Sequence, residues 1–103
     1  MIEYQKLVRD KIPQIIRNGG DIPIIRMLDD EEYLICLEKK LDEEVAEFHR
    51  DNNTEELSDI LEVVYALANA KGISRDALTD IYRKKHDERG GFEKKLLLIA
   101  SGK

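Results

Sequence analysis

The chain has 103 residues, of which 42% are hydrophobic and 38% are charged, and this length fits a single domain over residues 1–103. Acidic residues outnumber basic ones by 22 to 17, and the net charge of −5 argues against a nucleic-acid-binding protein. The one cysteine, Cys36, excludes a disulfide within the chain, and no apolar run reaches the roughly 18 residues of a membrane span. We therefore expect a cytoplasmic protein without a membrane partner.

Proline, glycine and capping residues mark the first elements. Pro13 is tolerated in the first turn of a helix, so a short helix is predicted from near Ile12 to the glycines at 19–20. Residues 22–28 contain a proline and neighbouring isoleucines, which predict an extended segment or a short strand. A long helix is predicted from Asp29 or Asp30, because Asp29 and Glu32 have the spacing of a capping box.

Apolar residues recur every three or four positions along this long helix and the helix after it, so each is predicted to bury one face. The stripes are Leu34, Leu37, Leu41, Val45 and Phe48, then Leu57, Ile60, Leu61, Val64, Leu67 and Ala68. The break at 51–53 is short, so the two helices are expected to be antiparallel neighbours. A last helix is predicted from Ser74 to near Arg89, and the tail 92–99 is apolar enough to pack on another surface.

Each of the two central helices carries two carboxylates beside its apolar stripe. Glu44 and Glu47 are three residues apart, as are Glu56 and Asp59, so each pair consists of neighbours on its helix surface. In an antiparallel pair of helices the four carboxylates can converge, and a divalent cation would relieve their repulsion. Mg²⁺ prefers such oxygen ligands together with water and substrate phosphate. The alternative is a solvated acidic face that binds nothing.

The residues around these carboxylates resemble a known superfamily. The chain contains Lys40-x-x-Glu43-Glu44-x-x-Glu47 followed by Glu56-Leu57-Ser58-Asp59. This pattern resembles the signature of the all-α nucleoside triphosphate pyrophosphohydrolases. That superfamily includes MazG-like proteins and phosphoribosyl-ATP pyrophosphohydrolases. Two further motifs resemble a MazG-like, phosphoribosyl-ATP pyrophosphohydrolase-like subgroup. They are the opening KLVRDKIP at 6–13 and the closing Lys85-x-x-x-Arg89-Gly90-Gly91-Phe92. The resemblance extends over nearly the whole chain.

The resemblance implies a Mg²⁺-dependent hydrolase, with Mn²⁺ as an alternative ion, that splits a nucleoside triphosphate between its α and β phosphates. It implies that the metal ligands are Glu44, Glu47, Glu56 and Asp59. The implied catalytic residues are Glu43, Glu44 and Glu47, one of which would orient and deprotonate the attacking water. The KLVRDK opening is not typical of the biosynthetic phosphoribosyl-ATP enzymes, so we favour nucleotide house-cleaning over histidine synthesis.

Basic residues are the candidates for substrate binding. Arg9 and Lys11 belong to a cluster suited to phosphates, and Arg89 adjoins two glycines whose N–H groups could help hold an anion. Lys40, within the family signature, completes the set. For the cluster and for Arg89, the alternative is a solvated surface charge.

The expected fold is an all-α antiparallel helical bundle completed by a homodimer or higher homo-oligomer, because one chain supplies few long helices. Two functions without turnover stay open. The chain could be a helical interaction module, or a nucleotide-binding regulator that keeps the metal site.

Overall fold

A computed structural model describes residues 5–103, and its regular structure within that range consists of four α-helices. They are α1 (Ile12–Asn18), α2 (Asp30–Asp51), α3 (Thr54–Ala70) and α4 (Arg75–Arg89). Residues 21–29 have no regular secondary structure, and no strand occurs among the described residues. The prediction of an all-α protein is therefore confirmed.

Local capping signals determine where the three longer helices begin. In each case a side-chain oxygen of the N-cap residue accepts a hydrogen bond from the backbone N–H three residues later, which satisfies one of the unpaired donors of the first turn. The pairs are Asp29 with Glu32 at 2.8 Å, Asn53 with Glu56 at 3.0 Å, and Ser74 with Ala77 at 3.1 Å. Each such cap typically contributes about 1 kcal/mol.

The link between α2 and α3 consists of Asn52 and Asn53 alone. Asn52 adopts the left-handed conformation with φ of 51°, and its backbone N–H donates to the Phe48 carbonyl at 2.8 Å. This reversal lets α3 run back along α2, and the two helices pack against each other. The predicted antiparallel pair is confirmed.

The predicted apolar face of α3 is only partly right. Ala68 is buried as expected, as is Leu37 on the facing α2, but Val63, which lies outside the predicted stripe, is buried too. Leu57 and Leu61, which the stripe includes, are about half exposed. The reason is rotational: Val63 shares a helical row with Glu56 and Asp59. That row faces α2, and it places the carboxylates of α3 against the other helix.

The fourth helix packs on α3 and makes no contact with α2 in the described part of the chain. Near its start, the Arg75 guanidinium lies 3.7 Å from the centre of the Tyr65 ring, a cation–π contact between the two helices. Tyr65 therefore has a packing role, as its position on an apolar helix predicts. None of the described helices has the length and hydropathy of a membrane span.

A single chain leaves much apolar surface exposed. The radius of gyration is 18.2 Å, whereas a compact domain of this length has about 13 Å. The accessible surface is 9650 Å², against roughly 6,000 Å² for a compact monomer of this mass. The predicted packing of the tail 92–99 does not occur within the chain, since Phe92 and 96–99 are all more than 80% exposed.

Candidate functional site

Three carboxylates from α2 and α3 converge near the closed end of the helix pair. One oxygen each from Glu44, Glu56 and Asp59 lie within 4.8 Å of one another. The convergence follows from the packing, because the inward row of α3 carries Glu56 and Asp59 opposite the stretch of α2 that carries Glu44. Three of the four predicted metal ligands thus lie together, and the two that are farthest apart in the sequence, Glu44 and Asp59, are separated by only 15 positions.

Glu44 is the most unusual member of this cluster. It is 7% exposed, the only charged residue among the buried residues described. Its Oε1 forms an ion pair with Lys40 Nζ at 3.4 Å. Its Oε2 is buried without a hydrogen-bond partner, and the same is true of Oε2 of Glu56. Buried acceptors without partners are costly, so both oxygens are ready to receive a cation or a donor from a ligand.

The pKa values of two of these carboxyl groups are raised. For Glu44, burial is the main cause and the neighbouring Glu47 carboxylate adds to it, partly offset by Lys40. For Glu56, loss of hydration again comes first, followed by repulsion from Glu47 and Asp59. Crowded negative charge therefore disfavours the ionised state here, and a bound divalent cation would reverse that preference.

The three carboxylates offer the kind of ligand that Mg²⁺ prefers. Around one octahedral Mg²⁺, at a magnesium–oxygen distance of about 2.1 Å, adjacent ligands lie about 3.0 Å apart and opposite ligands about 4.2 Å apart. The three oxygens lie within 4.8 Å of one another, so the side chains would have to rotate inward to bind a single ion. Hard, anionic oxygen donors with two uncommitted oxygens match the ligand set of this ion.

Glu47 and Glu43 flank this cluster in different ways. Glu47 does not share the 4.8 Å group, but its charge raises the pKa of both Glu44 and Glu56, so it lies beside them. Burial alone would raise the pKa of Glu43, yet ion pairs with Lys6 at 3.1 Å and Lys40 at 3.6 Å outweigh it and lower that pKa. Glu43 is consequently held as a carboxylate between two lysines.

A groove of about 240 Å³ opens beside the carboxylates. Arg9 lines it, and its Nη2 lies 2.7 Å from Oδ1 of Asp59 in an ion pair and hydrogen bond. Lys40 lines the groove as well. The other two predicted substrate-binding residues lie elsewhere: Lys11 precedes α1 and Arg89 is in the last turn of α4, and neither is among the described groove residues.

Tyr33 and Glu62 are among the groove residues that sequence reasoning missed. Glu62 had a usable signal, because it lies three residues after Asp59 on α3 and so extends the same row of acids. Tyr33 had none, since its position depends on how the segment 7–10 crosses α2. That segment brings Leu7 and Asp10 to the groove from a distant part of the sequence.

Without divalent metal, we expect stability to be higher at a pH just above the usual glutamate pKa of about 4.3 than at neutral pH. Groups with raised folded-state pKa values, Glu44 and Glu56, contribute their stabilisation when protonated and lose it as the pH rises through those values. The lowered pKa values of Glu43, Glu32 and Asp51 change stability only at pH values below the usual glutamate pKa. Differential scanning calorimetry should show a higher melting temperature at the lower pH.

The matched variant for this experiment is Glu44→Gln, which removes one of the two titrating groups. We expect it to flatten the pH dependence and to raise the melting temperature near neutral pH. Saturating Mg²⁺ should also flatten the curve in the unmodified chain. A melting temperature that falls between these two pH values without metal would contradict the proposed carboxylate crowding.

Comparison with known proteins gives one limited result. A stretch of 42 residues is 60% identical to an uncharacterized protein of Mycolicibacterium smegmatis, which covers 41% of this chain and 43% of that protein. The chain thus matches less than half the length of this relative. No family model matches the chain. No solved structure matches it either.

Proposed function

We propose that the protein is a nucleoside triphosphate pyrophosphohydrolase that uses Mg²⁺, or Mn²⁺ in its place, and clears unwanted nucleotides in the cytoplasm. The observation that carries this proposal is the buried Glu44 carboxylate, which has one oxygen without a hydrogen-bond partner and lies with Glu56 and Asp59 beside an open groove. The resemblance to the MazG-like, all-α pyrophosphohydrolases supplies the reaction, and its acidic signature coincides with this cluster.

In this proposal Glu44, Glu56 and Asp59 hold the ion, with Glu47 beside them as the fourth ligand. The bound ion supplies charge stabilisation on the phosphates and a water of lowered pKa. Glu43 is a weak proton acceptor, because its two lysine partners lower its pKa. We therefore assign Glu43 to holding Lys6 and Lys40 in place, and Glu47 to orienting the attacking water.

Arg9 has a specific part in this scheme. Its guanidinium now neutralises Asp59, one of the proposed metal ligands. A cation bound at Asp59 would compete for that carboxylate, and the guanidinium, already at the groove, would be released toward an anionic substrate. Arginine is well suited to this because its fork of N–H groups matches a phosphate. Lys40 supports the same groove from α2.

We also propose that the active form is a homodimer or higher homo-oligomer in which helices of several chains complete a bundle. The half-exposed leucines Leu57 and Leu61 on α3 and the exposed Ile81 and Tyr82 on α4 support this, because monomeric proteins rarely leave so much apolar surface open. Exposed surface well above that of a compact monomer points the same way.

The reaction is tested by incubating the protein with Mg²⁺ and a mixture of nucleoside triphosphates in ¹⁸O-labelled water. We expect monophosphate and pyrophosphate as products, with the label in the monophosphate, because attack at the α phosphorus places the water oxygen there. Mass spectrometry identifies the labelled product. The same mixture with excess chelator serves as the control and should give no turnover.

Other outcomes would contradict the proposal in distinct ways. Label in the pyrophosphate would place attack at the β phosphorus. Orthophosphate as the main product would exclude a pyrophosphohydrolase. Nucleotide binding without any product would favour the regulator without turnover, and the absence of both would favour the helical interaction module.

A further inference from the structure

Two short segments without regular secondary structure carry many of the most exposed apolar side chains among the described residues. The isoleucine segment (residues 22–28) precedes α2, and its Ile22 and Met27 are 89% and 95% exposed. The leucine segment (residues 96–99, Leu-Leu-Leu-Ile) follows α4, and all of its residues are at least 82% exposed. Isolated exposed apolar residues are ordinary, but two clusters of them, each within a few positions of the sequence, require an explanation.

The backbones of both segments are also unpaired. Within the described residues, no N–H or C=O of either segment takes part in a backbone hydrogen bond. Apolar segments whose backbone groups are unpaired are a template for strand pairing. Between the leucine segment and α4, the Lys95 N–H donates to the Phe92 carbonyl, a turn that redirects the chain away from the helix.

The fold of one chain does not bring these two segments together. The isoleucine segment leads into α2 and the leucine segment leaves α4, and these helices do not contact each other in the described structure. Arg26 of the isoleucine segment pairs its side chain with Glu32, but within residues 5–103 the backbone of neither segment has a strand partner, although each has the composition that the other would need. A second copy of the chain offers both.

We propose that the leucine segment of one copy pairs as an antiparallel strand with the isoleucine segment of another copy. This proposal rests on the self-association proposed above and not on the hydrolytic activity. Charge selects the direction: Asp29 and Asp30 follow the isoleucine segment, and Lys94 and Lys95 precede the leucine segment. Antiparallel pairing sets these two acids beside the two lysines, whereas parallel pairing offers the lysines only Asp21.

Area and backbone chemistry agree with this pairing. A stable interface needs roughly 800 Å² from each partner, and the chain exposes roughly 3,600 Å² more than a compact monomer of its mass. In the register that sets the acids opposite the lysines, residues 96–99 lie opposite residues 28–25, so Pro23, which has no N–H to donate, falls outside the ladder. With the acids opposite the lysines, Met27 lies opposite Leu97.

Disulfide cross-linking tests this register. In a Cys36→Ser background, Met27→Cys and Leu97→Cys chains are purified separately, mixed without nucleotide or metal, and oxidised mildly. Opposed residues of an antiparallel pair are close enough for a disulfide, so we expect a cross-linked heterodimer as the main product. The matched control pairs Met27→Cys with Asp87→Cys, on the exposed face of α4, and should give at least tenfold less product.

A single chain with both cysteines resolves whether the pairing is between copies. Disulfide-linked dimers or longer chains are expected, and a product of monomer size would overturn the proposal. Leu97→Pro should weaken self-association at least tenfold in sedimentation with unchanged helical circular dichroism, because proline removes a ladder donor. Ser101→Pro, beyond the segment, should have no effect.

The remaining results separate this proposal from the others. If the unmodified chain sediments as a folded monomer at micromolar concentration, both the self-association and the strand pairing are wrong. If it is an oligomer that Leu97→Pro leaves intact, the pairing is wrong while self-association holds. Neither result depends on hydrolysis, so a failed activity assay would leave this test unaffected.

Discussion

Glu56→Gln and Asp59→Asn should each reduce kcat/KM for nucleotide hydrolysis by at least about 100-fold, the usual scale for losing a group that stabilises charge at the reacting centre. Each substitution keeps the shape of the side chain but removes one negative charge from the proposed metal ligands. The helical fold should be retained, because Glu56 pairs its backbone N–H, not its side chain, with the Asn53 cap. Isothermal titration with Mn²⁺ should show a parallel loss of metal affinity.

The matched control is Glu62→Gln, which changes an acid of the same helix and the same groove outside the carboxylate group. We expect its metal affinity and turnover to remain within a few-fold of the unmodified protein. Removal of crowded charge should leave Glu56→Gln as stable as the unmodified chain, or more so, without metal. If both site variants retain full turnover in Mg²⁺, the assigned site is wrong.

Leu37→Ala should produce the largest loss of stability among single apolar substitutions. Leu37 is 2% exposed and lies at the contact of α2 with α3, where it also lines the groove. Truncating a buried leucine typically costs about 2–5 kcal/mol, because burial is lost and a cavity remains. In a chain with so few buried residues, that is a large part of a total stability of about 5–15 kcal/mol. Urea unfolding followed by circular dichroism measures it.

Glu38→Ala is the control for this substitution, since it places alanine at the next, exposed position of α2. An exposed substitution of this kind should change stability by no more than about 0.5 kcal/mol. The comparison separates loss of the leucine side chain from any effect of alanine on the helix itself. Equal losses from both variants would show that Leu37 is not the centre of the core.

The fold was largely predictable because its signals are local. Each helix start depends on a side chain that caps a backbone N–H three residues away, and such spacings are visible in the sequence. The buried face of α3 was less predictable. Both the Leu57–Leu61 row and the Glu56–Val63 row are plausible faces, and only packing against α2 shows which one turns inward.

The candidate site divides in the same way. The convergence of Glu44, Glu56 and Asp59 follows from helical spacing and an antiparallel link, both of which can be inferred in advance. The ion pair of Arg9 with Asp59 joins residues 50 positions apart, and no periodicity predicts such a contact. Neither Arg89 nor Lys11 lines the groove among the described residues. That these two residues bind substrate stays a prediction.

The shortness of the α2–α3 link has a consequence for how the molecule folds. All three converging carboxylates lie on one helical hairpin closed by two residues, so their contacts have low sequence separation and can form before distant parts of the chain join. Repulsion among these carboxylates then opposes folding at an early step. A divalent cation would act on the folding rate as well as on the lifetime of the native state, and the hairpin would be the place where folding begins.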